Sequence, residues 1–488
     1  LPESRGKLAR GLSSCVLLGV LAIFVWTLGQ SLIWQNDLRQ RMEAPVVEGG
    51  SLALIAAIGL AVFAACFLIG FLLSGLVRIV RRRLYRIMPE RRANVLGLIL
   101  VVAVLFVLTR NGPYEALITG LDESYEAAQN LFDPEREAPA SETKTGGPGS
   151  LVEWGAIGAL GREFILDGPE AEAISAFTGA PAKDPIRVYV GRANAETPEE
   201  RAGLALAELI RQGAFEREVL VVASPTGTGW LDPGSHDPLE YMHGGDVATV
   251  AVQYSYLLSP LALFLETDAG LDQATALLEV VHEYWKRLPP DTRPRLYAHG
   301  LSLGAWSSMF ATNMFRVVND PIDGALWAGP PFPSNFWNYV QGARNVGSPW
   351  ILPDVNDGSL VRYANHYVEP TDAAAPWEEV RIGFLQHSSD PIVLYTPSSL
   401  WRAPIWMAEP PAPDVSRHMS FMPVVTQFQL ALDMALSFGA PGGHGHAYIA
   451  QDYIVPWVEV TAPDVWTEAD TEKLKAHCDN GFPNGCSN

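Results

Sequence analysis

The sequence predicts an α/β fold, a mainly parallel sheet covered by helices, preceded by an α-helical transmembrane bundle. Three observations carry this. Apolar stretches of membrane-spanning length are confined to the first 110 residues, short apolar runs alternate with helix-periodic segments from Leu151 onward, and the charge reverses between the two parts. Up to Arg110 the chain holds 13 Lys and Arg against 5 Asp and Glu. Of the 34 basic and 54 acidic side chains in all 488 residues, 21 and 49 fall beyond that point, a net −28. A domain that acidic lacks the basic face a phosphate backbone requires, which excludes nucleic acid as its partner. It suits a soluble, self-repelling domain on the outer side of a membrane.

The basic front, residues 1–110, reads as about three helices: Leu12 to Ile33, Leu52 to Val77 and Val95 to Leu108. The first two exceed the ~20 residues needed to cross ~30 Å of hydrocarbon, while the third needs its flanks to do so. Arg78, Arg81, Arg82, Arg83, Arg86, Arg91 and Arg92 crowd the loop between the second and third stretches. Lys and Arg beside spans stay cytoplasmic, so this loop faces inward and the third span delivers everything after it to the exterior. A bacterial-type cytoplasmic membrane, crossed several times, is the expected location, with membrane lipids as partners of the N-terminal helices. A cleaved signal peptide at the first stretch leaves the second unexplained.

Residues 111–150 are expected to connect the two parts. Tyr114, Leu117, Ile118, Leu121, Tyr125, Ala128 and Phe132 recur at helical spacing, which reads as an amphipathic connector. Pro134 to Ser150, rich in Pro, Glu, Ser, Thr and Gly and without an apolar period, reads as a linker.

Residues 151–488 form the expected catalytic domain. Strand candidates are Ile186 to Val190, Val219 to Ala223, Ala248 to Tyr254, Arg295 to Ala298, Gly324 to Ala328 and Val380 to Leu385. Helical patterns at Thr197 to Gln212 and Asp272 to Leu288 stand between them, the first opening on Thr197-Pro198 with Glu200 as a capping box. That alternation is the order of a parallel sheet covered on both faces.

The segment Arg295-Leu-Tyr-Ala-His-Gly-Leu-Ser-Leu-Gly-Ala305 runs a strand into Gly300-x-Ser302-x-Gly304 and then into a helix-compatible stretch. This is the pattern of a nucleophile elbow of the α/β-hydrolase type. The serine sits on a sharp turn, and a Cβ at either flanking position would collide with the neighbouring backbone. Ser302 is therefore the candidate nucleophile. A serine hydroxyl needs a base and an orienting acid, expected downstream in the order Ser, Asp, His. Asp390 lies just beyond a strand and is preferred over Asp354, Asp357 and Asp414, which sit in Pro/Gly-rich loops. Gly442-Gly-His444-Gly-His446 offers the base on a Gly-rich loop. Either histidine can serve, with His444, flanked by glycine on both sides, slightly preferred. His299 reads as a packed strand-end residue and His387 as one that positions the acid loop.

An oxyanion hole is expected from the backbone N–H of Leu303 and from the loop after the strand at 219–223, at Thr226 or Gly227. His243-Gly244-Gly245-Asp246 is a rival that stands directly before a strand. Trp306, Trp327, Trp337, Trp350, Trp401 and Trp406 lie around these segments, and core packing is the expected task of most. Cys478 and Cys486 bracket a hydrophilic loop and are expected to form a disulfide in an oxidising exterior. Two histidines on a loop without a matching carboxylate cluster do not make a metal site, so no metal is expected.

The chain resembles the bacterial α/β-hydrolase family that joins an N-terminal transmembrane bundle to a C-terminal hydrolase domain. The resemblance covers most of the chain. It rests on Pro225-Thr-Gly-Thr-Gly-Trp230, Tyr241-Met-His-Gly-Gly-Asp246, Gln253-Tyr-Ser-Tyr256, the Ser302 elbow, Trp327-Ala-Gly-Pro-Pro331, Gln386-His-Ser-Ser-Asp390-Pro and Gly443-His-Gly-His446. One departure is Leu301, where the resemblance leads to a Glu. The expected activity is hydrolysis of carboxylic esters, small-molecule or lipid-like, through an acyl-enzyme and without a cofactor. Two alternatives stand beside it: acyl transfer to a cell-envelope acceptor, and a non-catalytic scaffold keeping the hydrolase fold as a binding module. The sequence does not specify the oligomeric state.

Overall fold

The computed structural model describes residues 2–47, 51–85, 136–312, 319–370, 373–435 and 437–486, with scattered positions between 89 and 103. The chain divides into two compact units, Leu1–Gly120 with Pro413–Met419, and Leu121–Ala412 with Ser420–Asn488. In the first unit two long helices are described, α1 (Pro2–Arg41) and α2 (Ser51–Leu84). Among the described residues one helical stretch, Ala57–Leu84, is long and apolar enough to cross a membrane. Half of the third expected span and all of the Tyr114 to Phe132 connector lie outside the described residues.

Among the described residues the second unit is built on seven parallel strands: β1 (Ile186–Val190), β2 (Val219–Ser224), β3 (Val247–Val252), β4 (Arg295–Leu301), β5 (Gly324–Ala328), β6 (Val361–Ala364) and β7 (Arg381–Leu385). Their order across the sheet is β1-β3-β2-β4-β5-β7-β6. β1, β2, β3 and β5 are buried along their whole length, as the Val- and Ala-rich runs require of strands covered on both faces. The six expected strands all form, within a few residues at their ends. β6 was not anticipated, because Val361-Arg-Tyr-Ala364 is short and carries a charge; Arg362 pairs with Glu459 at 2.6 Å.

The helices used below are α3 (Pro198–Arg211), α4 (Pro233–Met242), α5 (Ser259–Leu265), α6 (Thr267–Trp285), α7 (Leu303–Ala311), α8 (Pro391–Leu394), α9 (Val425–Ala435) and α10 (Ala450–Thr461). α3 starts on the expected capping box: Thr197 Oγ1 accepts the Glu200 N–H at 3.2 Å, and the Glu200 carboxylate accepts the Thr197 N–H at 3.1 Å.

Residues 136–150 correct the linker expectation. Thr145 is buried and donates to the Arg187 carbonyl at 3.0 Å, Trp154 Nε1 donates to the Arg136 carbonyl at 2.9 Å, and the Glu208 carboxylate accepts from Ser150 Oγ and Leu151 N–H at 2.9 and 3.0 Å. A segment without apolar periodicity docks here through polar groups, since the Thr145 hydroxyl finds its partner on β1 and the Ser150 hydroxyl on α3. The expected disulfide Cys478–Cys486 is present. The Cys486 N–H donates to Asp237 Oδ2 at 2.9 Å, and Asp237 pairs with buried Arg187 at 2.6 Å.

Candidate active site

β4 ends at Leu301 and α7 begins at Leu303, so the chain must reverse within one residue. Ser302 takes φ 57° and ψ −124°, a conformation that costs a non-glycine residue about 1–3 kcal/mol. The flanking glycines meet the demand the sequence placed on them. A Cβ on Gly300 would come within 2.3 Å of Gly304 C, and one on Gly304 within 2.1 Å of the Ser224 carbonyl oxygen on β2. Leu301, the one departure from the resembled pattern, is buried and registered against Ala328.

The carboxyl edge of the sheet then aligns three positions on adjacent strands. The Ser302 N–H donates to the Ala328 carbonyl at 2.9 Å, and Gly329, the first residue past β5, donates to the Leu385 carbonyl at 2.9 Å. Asp390 follows β7 and caps α8, its Oδ1 accepting the Ile392 N–H at 2.9 Å ahead of Pro391. Gly329 has φ +50°, and a Cβ there would lie 2.7 Å from His446 Cε1 and 3.1 Å from His446 Nδ1. The His446 imidazole thus lies over the end of β5, between the strand that carries Ser302 and the strand that carries Asp390.

Asp390 Oδ2 meets His446 Nδ1 at 2.7 Å, with both side chains fully buried. This bond fixes the tautomer: Nδ1 carries the proton and donates it to the carboxylate, which leaves Nε2 as the nitrogen that can take a proton. His444, the slightly preferred base, is not the partner of Asp390. Its backbone forms a bridge with Ala447 that turns the Gly-rich loop, and its ring stacks edge-on to His366 at 4.6 Å between centroids. The difference is one of phase. Gly443 and Gly445 both adopt positive φ, and the turn they form directs residue 446 toward the sheet.

Two further interactions were not anticipated. Tyr448 donates its hydroxyl to Asp390 Oδ2 at 2.8 Å. His387, expected to position the acid loop, meets the Gly445 carbonyl at 3.0 Å and Asp452 Oδ2 at 3.1 Å. Burial, the largest influence, would push the His387 imidazole down, but Asp452 together with Asp390 and the Gly445 carbonyl holds the ring above its ordinary value. The Tyr-x-x-x-Asp spacing of 448 and 452 at the entry to a helix was the only available signal, and it is a weak one. His299 packs as a strand-end residue, bonded to Leu326 O at 2.6 Å and Ser235 Oγ at 2.9 Å, and burial lowers it to about 4.

Leu303 is the first residue of α7, so its N–H is among those a helix leaves without an intrahelical acceptor. Thr226 does not fit the second donor position, because its N–H is spent on the Trp230 carbonyl at 3.0 Å. Gly227 remains, tight against α5, where a Cβ would stand 2.9 Å from Ala262 Cβ. The rival 243–246 segment precedes β3, at the sheet edge opposite Ser302, and its Gly244, Gly245 and Asp246 N–H groups all close a local turn. Ser302 is only 3% exposed. Leu257 and Ala262 pack with Leu303 in an apolar cluster joined by Leu261, Leu265 and Trp306. Trp327, Trp337 and Trp406 are buried with their ring N–H groups bonded, as core residues.

A parallel sheet with a strained serine turn at its centre, an acid after a later strand and a histidine on a C-terminal loop defines the α/β-hydrolase class of proteins. The chain belongs to the alpha/beta-hydrolase family: the family profile matches residues 186–474, and the profile of the family's N-terminus matches residues 1–169. Among solved structures, an acetylxylan esterase is similar at 12% identity over 36% of this chain and 85% of its own, with a TM-score of 0.23. RedJ, solved with a polyethylene glycol molecule in its active site, is similar at 14% identity over 43% of this chain and 83% of its own, with a TM-score of 0.20. Comparison with curated proteins gives no match.

Proposed function

We propose that the protein is a serine hydrolase that cleaves carboxylic esters through an acyl-enzyme, with Ser302, His446 and Asp390 as its catalytic triad. The observation that carries the reading is the buried Asp390–His446 bond at 2.7 Å, with the imidazole over Gly329 at the end of the strand beside Ser302. Ser302 Oγ attacks the acyl carbonyl as its proton passes to His446 Nε2. Asp390 remains ionised and stabilises the imidazolium, and the N–H groups of Leu303 and Gly227 receive the charge developing on the carbonyl oxygen. His446 then protonates the departing alkoxide, and water, deprotonated by the same nitrogen, releases the acid. No step calls for a metal or an organic cofactor.

The substrate class is amphiphilic. The residue after the nucleophile packs in a leucine-rich cluster with α5, which offers apolar surface to an acyl chain once that cover shifts. The Ala57–Leu84 helix supports anchoring in a membrane, and the Arg-rich segment that ends it supports a cytoplasmic loop with the hydrolase domain outside. Lipid-like esters at a bacterial membrane surface are then the natural substrates.

The test is covalent labelling with a fluorophosphonate probe. Ser302→Ala should abolish labelling and lower ester turnover by up to ~10⁶-fold, His446→Ala should cost about as much, and His444→Ala should leave most activity. Folded protein that is not labelled, or His446→Ala that turns over ester at the wild-type rate, removes the reading.

A further inference from the structure

Behind the Asp390–His446 pair, the loops carrying the acid and the base are joined by a second set of bonds that the triad does not require. Gly445 is clasped from both sides. Its N–H donates to Ser389 Oγ at 2.9 Å, and its carbonyl meets His387 Nδ1 at 3.0 Å. The other nitrogen of His387 faces Asp452 Oδ2, which also accepts the Ile449 N–H at 3.0 Å. Both partners of the ring are acceptors, so His387 carries a proton on each nitrogen, a buried imidazolium paired with a carboxylate.

Tyr448 lies between this pair and Asp390. Its ring stacks on His387 with centroids 4.0 Å apart and planes 18° from parallel, and its hydroxyl oxygen accepts the His387 backbone N–H at 3.3 Å. That leaves the hydroxyl proton directed at Asp390 Oδ2, the same oxygen that receives His446.

We propose that Tyr448 is a positioning residue for the triad: its hydroxyl holds Asp390 Oδ2 on His446, and the protonated His387 beneath it holds both the Tyr448 ring and the Gly445 carbonyl. The proposal rests on the hydrolytic reading of Ser302. A carboxylate oxygen shared by two donors is fixed in direction, and it is also less basic than one shared by a single donor. Tyr448 therefore sets the orientation of the His446 ring and moderates its basicity. The titratable groups facing this cluster are Asp390 and His387 on the acid loop, His446 on the base loop, Asp452 and Tyr453 on α10, and His366, whose ring centroid lies 5.5 Å from that of His387. Burial and then Asp390 hold the Tyr448 hydroxyl well above its ordinary range, so it remains a donor at every working pH.

The experiment measures the second-order rate of fluorophosphonate labelling of the full chain against pH. In Tyr448→Phe the plateau rate should fall about tenfold. The acid limb should move to higher pH by about half a unit, because Asp390, relieved of one donor, stabilises the His446 imidazolium more strongly. A plateau and limb equal to wild type, in folded protein, overturn the proposal, since a tyrosine with no hold on Asp390 is replaced by phenylalanine without a change in labelling rate. If the phenylalanine variant does not fold, Tyr448→3-fluorotyrosine decides: its more acidic hydroxyl should move the limb to lower pH, and an unmoved limb overturns the proposal. Labelling that persists in Ser302→Ala would remove the hydrolytic reading itself, whereas labelling lost in Ser302→Ala beside an unaltered Tyr448→Phe removes only the role of Tyr448.

Discussion

Gly329→Ala tests the geometry of the proposed triad without touching any member of it. The added methyl would stand 2.7 Å from His446 Cε1 and 2.9 Å from Tyr448 Cε2, about 0.7 Å short of the ordinary contact distance of 3.4 Å for the first of these. The ring cannot retreat within its plane without lengthening the 2.7 Å bond to Asp390. A displacement of that size in a reacting group costs on the order of 10- to 100-fold in rate. Alanine at φ +50° also carries a backbone penalty of about 1 kcal/mol. Gly149→Ala separates the two effects, since Gly149 has φ +78° and nothing within 4 Å of its would-be Cβ. Gly149→Ala should lose only the backbone penalty in thermal melts and Gly329→Ala more, by the cost of overpacking two buried rings, and only Gly329→Ala should lose fluorophosphonate labelling and ester turnover by 10-fold or more. Equal labelling rates in the two variants would show that the His446 ring does not sit over β5, and the triad assignment would go with it.

Two further outcomes bear on the scaffold beneath the site. Arg187→Met strands Asp237 and Glu240, both buried, and should destabilise the hydrolase unit by about 3–5 kcal/mol in chemical denaturation; a change under about 1 kcal/mol would contradict the buried pair. Burial raises Asp232 to about 7, against the opposing hydrogen bonds from Tyr453 and Gly234, so the native chain keeps a proton that the unfolded chain releases near pH 4. Its contribution is therefore complete below about pH 4 and is lost as pH rises through about 7. The stability of wild type relative to Asp232→Asn should decline across that window, and a difference that does not change with pH would refute the protonated carboxyl.

The elbow was legible because its constraint is local. Gly300 and Gly304 are separated from Ser302 by one residue each, and the collisions that forbid a Cβ at either position follow from a single reversal of the chain. The placement of Asp390 was legible for the same reason, since a strand end and a Pro-started helix hold it. The choice between His444 and His446 was not, since it depends on the two positive-φ glycines of a turn whose direction is fixed only against β5. The Thr226 donor failed because a hydrogen bond closing its own loop, to Trp230, outcompeted the role the motif suggested.

The sequence by itself determined the α/β layering, the strained turn at Ser302, the placement of Asp390 after a strand, the disulfide and the contrast between a basic apolar front and an acidic remainder. Each of these follows from periodicity, spacing or charge carried by neighbouring residues. Only the tertiary structure decided which histidine meets Asp390, that Tyr448 shares the same oxygen, that His387 is pinned between Gly445 and Asp452, and that residues 136–150 dock on β1 and α3. These are contacts between segments 42 to 65 residues apart in the chain. Their partners are chosen by where the strands end in space, and no local pattern encodes that.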